Sequence, residues 1–336
     1  MKKQLLAVSM MTLFLSATAP FTSMSVFVYA ANQPQTAPEP MKTLAQLDKK
    51  VVEDAKQAMQ KLAGNVTIEL NEITGMNPDC WVISAKDNRG EVLVTKNEGK
   101  VVSARVIFKF SEVDADLQNT VMSTLKGMDG KQSFTIDQVD RINWEKENIW
   151  QFWGKDAVVI IDAATGKVNS ASLDYHTNQI DPKAVDTAQK ALQSLSNGKA
   201  SELLPEVTLV KDSQRHLDLV WSFMDRERTY GIMIGAKTGK VLSATAYNEF
   251  SNDNYVSEED LPQVFAKPFY TKEKAIAAAN PVSKKILHID LTGYNVSCTY
   301  NKYTFTKQGK PTVTASINKK GVFYDFIVTP ESGMLN

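Results

Sequence analysis

The sequence predicts an α+β protein of tandem repeats, each with one helix packed on a small antiparallel β-meander. Three observations carry that expectation. A Gly-Lys-Val triplet recurs at Gly99, Gly166 and Gly239 at nearly constant spacing, and Ser-Ala follows each glycine at the same offset (Ser103, Ser170 and Ser243). Gly321 heads a weaker copy further on, in which Lys320 precedes the glycine and no Ser-Ala follows. An aromatic-x-apolar pattern stands upstream: Trp81, Trp221 and Tyr303 precede their glycines by one common interval, and Trp150 precedes Gly166 by a slightly shorter one. Finally, a stretch with helical apolar spacing comes before each of these segments.

Residues 1–30 read as a secretory signal peptide. Lys2 and Lys3 are followed by no charge from Leu5 to Tyr29, and Val28-Tyr29-Ala30 supplies small residues for cleavage. An uncleaved anchor is the competing reading, and Pro20 counts against it by breaking a helix. Residues 31–40, rich in Pro and Gln, are expected to be a disordered linker. The folded part then begins near Met41.

Repeat 1 is expected over 41–111, repeat 2 over 112–178, repeat 3 over 179–250 and repeat 4 over 266–330, with 251–265 as an acidic, Pro-containing linker. In repeat 1 the helix reads from Leu44 to Leu62, with one apolar face through Leu47, Val51, Ala55 and Met59. Val113 to Met128 is the helix of repeat 2. Asp181-Pro182 caps and opens that of repeat 3, which Asn197-Gly198 ends. Thr271 caps the fourth, Lys272 to Ala279, which Pro281 is expected to stop.

Each meander has three predicted strands. The aromatic-x-apolar segment is the first, with the period-two pattern of a half-buried strand. The second strands are Val92–Thr95, Val158–Ile161, Ile232–Ile234 and Val313–Ile317. The third are Val101–Phe108, Val168–Leu173, Val241–Tyr247 and Val322–Val328. Between them Gly99, Gly166, Gly239 and Gly321 are expected to hold tight turns that need a positive φ.

The helix opening Thr-Lys-Glu-Lys-Ala-Ile-Ala-Ala-Ala (271–279) and the Asp-Ala-x-Thr-Gly-Lys-Val turn (162–168) resemble the PepSY propeptide repeat. They are also similar to the related YcdB/YcdC-type repeated domain of secreted bacterial proteins. The first copy lacks the Asp-Ala-x-Thr part, and the third carries Gly235 in place of the Asp. The resemblance implies a helix-on-antiparallel-sheet fold, an extracytoplasmic location and a link to peptidase propeptides or peptidase inhibition. It implies no catalytic residue.

The sequence lacks H-E-x-x-H and G-x-S-x-G, and His176, His216 and His288 stand at no metal-ligand spacing. The Thr-Gly-Lys triplets at 165–167 and 238–240 fail as phosphate loops, because Ile161 and Ile234 stand where the first glycine belongs. Glu145 and Glu147 flank Lys146 and read as a solvated turn. No catalytic residue, cofactor or metal is expected. Cys80 and Cys298, far apart in the chain, are candidates for a disulfide or for two buried thiols.

The densest aromatic run, Trp144, Trp150, Phe152 and Trp153, is the candidate contact surface; alternation puts Trp150 and Phe152 on one face and Trp153 on the other. Core packing of these rings is the competing reading. The formal charge is zero, about −2 without Lys2 and Lys3, leaving no basic surplus to hold nucleic acid or anionic lipid. No later apolar run approaches a membrane span. The chain is therefore expected to be a secreted or cell-envelope, non-enzymatic binding or regulatory protein. Its expected partner is an extracellular peptidase; the alternative is a structural module that binds cell-wall polymer.

Overall fold

The computed structural model describes residues 43–331 apart from 77–78, 145–146, 200–201, 214–215, 251–253, 255 and 258. The expected signal peptide and linker (1–40), and the pair Glu145–Lys146, lie outside the described residues.

Every repeat contributes four strands, not three. In chain order they are β1 (Leu70–Met76), β2 (Cys80–Ala85), β3 (Gly90–Thr95) and β4 (Val101–Phe108); β5 (Gln138–Trp144), β6 (Glu147–Trp153), β7 (Ala157–Asp162) and β8 (Val168–His176); β9 (Glu206–Asp212), β10 (Leu217–Met224), β11 (Tyr230–Gly235) and β12 (Val241–Ala246); β13 (Asn295–Thr299), β14 (Lys302–Thr306), β15 (Thr312–Ile317) and β16 (Phe323–Thr329). The α-helices are α1 (Lys49–Ala63), α2 (Ala115–Met128), α3 (Pro182–Leu195), α4 (Leu261–Val264) and α5 (Lys272–Val282).

This corrects the expected fold class. The strands do not form tandem helix-on-meander units; they join in one antiparallel sheet of sixteen, with few helices. Its order follows the chain from β1 to β12 and then runs β16-β15-β14-β13. The physical reason lies in the edges. A three-stranded meander leaves two rows of unpaired backbone groups, and pairing with the next strand satisfies them. Thus β4 pairs with β5 from Ser103↔Trp144 to Phe108↔Val139, and β12 pairs with β16 through Ala244↔Phe326.

The chain divides within β8 into two compact units, one ending at Ala171 and the other beginning at Ser172. In the first, α1 packs against β3, β4 and β5, and α2 against β7. Asp48 caps α1 by accepting from the Lys50 amide, and Asp114 caps α2 by accepting from Asp116. The covered sheet face is apolar and buried: Ile83, Val92, Val106, Val139, Phe152 and Ile161 are all fully buried. Met59 of α1 reaches so close to Gly90 that a Cβ there would lie 2.9 Å from its methyl carbon.

In the second unit α3 packs against β11 and β12, and α5 against β13. Asp181 caps α3 above Pro182, and Asn197 and Gly198 leave it with φ 53° and 78°. Phe223, Ile232, Ala244, Phe326, Ala315 and Tyr303 form a buried row across six strands. Pro281 does not stop the fourth helix. It sits inside α5, and the chain continues through a π-helical turn at Ser283–Leu287. The segment read as a linker contains α4 and the buried Phe265.

The four turn glycines have φ of 63° (Gly99), 69° (Gly166), 65° (Gly239) and 80° (Gly321). The residue that opens each turn differs. Asp162 accepts from the amides of Ala164 and Thr165 and from the Thr165 hydroxyl; Asn318 does the same work with the amides of Lys320 and Val322. Thr95 accepts from the Lys100 amide through its hydroxyl. Gly235 opens the third turn with its backbone alone, so the degenerate motif is one backbone conformation whose opening residue lends a polar side chain in three of its copies.

Candidate functional site

Strand alternation splits the aromatic run between two faces. Trp150 lies on the face covered by α1, in a ring contact with Phe108 (centroids 5.3 Å apart) and stacked with Phe152 (6.4 Å). Arg141, its cross-strand partner, sits 5.3 Å over the indole and donates to the carbonyls of Ile142 and Ile149. Burial pulls that guanidinium below its ordinary value, with Asp162 opposing. Trp150 therefore packs against Phe108, Phe152 and Arg141, on the face opposite Trp144 and Trp153.

Trp144 and Trp153 project from the opposite face. The register places Ser103, Trp144 and Glu147 in one row, Arg105, Ile142 and Ile149 in another, and Asp140 and Gln151 in a third. Glu91 extends the Arg105 row on β3. Apart from Asp140, the residues of these rows are half-exposed or exposed, Trp144 at 39%, while Val158 beside Trp153 is buried.

Asp140 is the centre of this face. It is only 2% exposed, yet it carries a carboxylate whose Oδ2 accepts from Arg105 Nη2 and from Trp153 Nε1, both at 2.9 Å. Its Oδ1 accepts from Gln138 Nε2 at 2.9 Å. Three donors are what a buried carboxylate requires. Glu91 approaches Arg105 Nη1 at 3.9 Å; burial raises its carboxyl above the ordinary value, Arg105 lowers it and Asp140 raises it further. Arg105 Nε is buried without a hydrogen-bond partner.

Chemically, an exposed indole beside hydrogen-bonding side chains can stack on and hydrogen-bond a ligand. Asp140, Arg105 and Glu91 were not singled out by sequence. The available signal was a charge inside an otherwise apolar strand, Arg105 within Val101–Phe108, and Asp140 beside Val139.

The remaining candidates lie elsewhere. His176, His216 and His288 are exposed on separate segments, and among the described residues no group of three or more His, Cys, Asp or Glu could hold a metal. No disulfide links Cys80 and Cys298. Cys80 opens β2; Cys298 lies on β13, its Sγ donating to the Tyr300 carbonyl at 3.3 Å. Burial raises both thiols, with Asp79 adding to the effect at Cys80 and the Tyr303 hydroxyl opposing it at Cys298. Among the described residues no helix is long and apolar enough to cross a membrane. Compared with known family models, curated proteins and solved structures, the chain matches none.

Proposed function

We propose that this is an exported binding protein without catalytic chemistry of its own, and that it engages its partner through the open sheet face around Trp144. The observation that carries this reading is the exposed indole of Trp144 on the same face as the Asp140–Arg105–Trp153 network. Trp is enriched among interface anchors, where a large indole buries much apolar area. Export rests on the charged, apolar, small-residue order of residues 1–30. The resemblance to PepSY repeats points to an extracellular peptidase as the partner, which the protein would modulate.

The test incubates the purified mature chain with secreted peptidases of its own host, reading both complex formation and peptidase rate. Saturable binding or a slowed rate is expected, and Trp144→Ala weakens it by at least about tenfold. A second reading, a cell-envelope module that binds wall polymer, is favoured by the pairing of an exposed indole with hydrogen-bonding groups on this face. It replaces the first if no host peptidase binds while the protein sediments with isolated wall. If neither binds, the contact-face proposal fails.

A further inference from the structure

The overall charge of zero hides a strong asymmetry. Residues 261–324 hold ten lysines against two acidic residues, Glu273 and Asp290, and 291–324 holds no acidic residue. The change of sign falls at Asp260, which ends an acidic stretch. Two turns in this basic region emerge side by side. The Tyr300–Asn301 turn is tied to the end of β15: the Ile317 amide donates to the Asn301 carbonyl at 2.9 Å, and Asn301 Nδ2 donates to the Ile317 carbonyl at 3.2 Å. Residues 318–322 follow directly and form the second turn.

Three exposed apolar side chains crown this end. Phe269 is 48% exposed, Tyr300 45% and Val322 43%. Phe269 is held in place. Its ring occupies the space a Cβ of Gly321 would need, and it meets Tyr270 edge-on at 4.9 Å. Tyr270 in turn donates its hydroxyl to the Gly321 carbonyl at 2.8 Å. Lys267, Lys319 and Lys320 are exposed around them, and none makes an ion pair among the described residues.

We propose that this tip docks on an anionic phospholipid surface, with the lysines on the headgroup phosphates and Phe269, Tyr300 and Val322 in the interfacial layer. Charge complementarity selects an anionic partner. The exposed apolar side chains select lipid over a hydrophilic polyanion, since only lipid offers them an apolar environment. The inference rests on residues separate from the Trp144 face and stands or falls without it.

The experiment is cosedimentation of the purified protein with vesicles of mixed phosphatidylcholine and phosphatidylglycerol, against vesicles of phosphatidylcholine alone and against soluble polyphosphate. Partition into the anionic vesicles is expected, weakening with salt. Lys319→Gln with Lys320→Gln should reduce it by about tenfold or more. Tyr300→Ser and Val322→Ser should reduce it with the melting temperature unchanged, since both side chains are exposed. Absence of partition overturns the proposal, as does equal partition into neutral vesicles. Equal binding to polyphosphate that Tyr300→Ser leaves untouched also overturns it, and reassigns the tip to a soluble polyanion.

Discussion

Single side chains separate strain from crowding in this chain. Gly166 has φ 69° and open space where a Cβ would go, so Gly166→Val meets only backbone strain and should cost about 1 kcal/mol. Gly90, at φ 146°, adds crowding to strain: a Cβ there would overlap the Arg105 carbonyl oxygen, so Gly90→Ala should cost clearly more in the same denaturant titration. Equal losses would show that backbone strain, not the contact, governs both. Asp140→Ala removes the acceptor for Arg105 and Trp153, and should destabilise by about 2–3 kcal/mol. A loss near zero would mean that water satisfies both donors.

Asp325 sets a pH dependence. Burial raises its carboxyl above the ordinary 3.8, while the Thr245 hydroxyl, at 2.7 Å, and Lys302 pull it down. The folded chain then keeps a proton that the unfolded chain has released. Stability from this group is greatest below about pH 4 and falls as pH rises through the raised value. Asp325→Asn should match the parent in acid and exceed it at neutral pH, read from urea midpoints. A midpoint lower at neutral pH would reverse the sign.

Among the elements, the three later strands of each repeat were legible and the first was not. The Trp81, Trp150, Trp221 and Tyr303 strands, the glycine turns and the strands after them carry strong local signals. The leading strands β1, β5, β9 and β13 do not. In β5 a buried Asp140 and a half-buried Arg141 interrupt the alternation; in β9 only Val207 and Leu209 mark the inward face. That omission hid Asp140 and its place beside Trp144, since both belong to β5 and only the tryptophan was named from the sequence. Sheet continuity was illegible for a different reason. Which edge pairs with which is decided between strands that a helix separates in sequence, and no local period encodes it. Helix ends were read more closely where a side chain caps them. Asp181→Ala should lower stability by about 1 kcal/mol, measured by thermal melting, since it leaves the Lys183 amide without its acceptor.

Across the whole molecule, a chain of zero formal charge proves to be unevenly charged, and in the first unit the sheet face around Trp144 is left half-exposed. Both features are sums over distant residues. The overall composition showed no basic surplus, whereas the lysine count in 261–324 concentrates positive charge in one segment.

The reversed order of the last four strands has a consequence in time. β16 is the last of the sixteen strands to be synthesised, yet it lies between β12 and β15, while the earlier β13 stands at the rim. Until β16 arrives, β12 has no partner on its outer side, and β13 to β15 have nothing to join. The second unit therefore closes by insertion of its last segment, as a clasp does, and a growing chain has a vulnerable interval that ends only with Thr329. Removing 323–336 should hold the protein in that interval permanently. The expected result is soluble expression lost to aggregation, or a core around Phe223 and Ile232 that exchanges its amide protons freely. A truncated chain that stays monomeric, with those amides protected, would show that β12 closes without its neighbour.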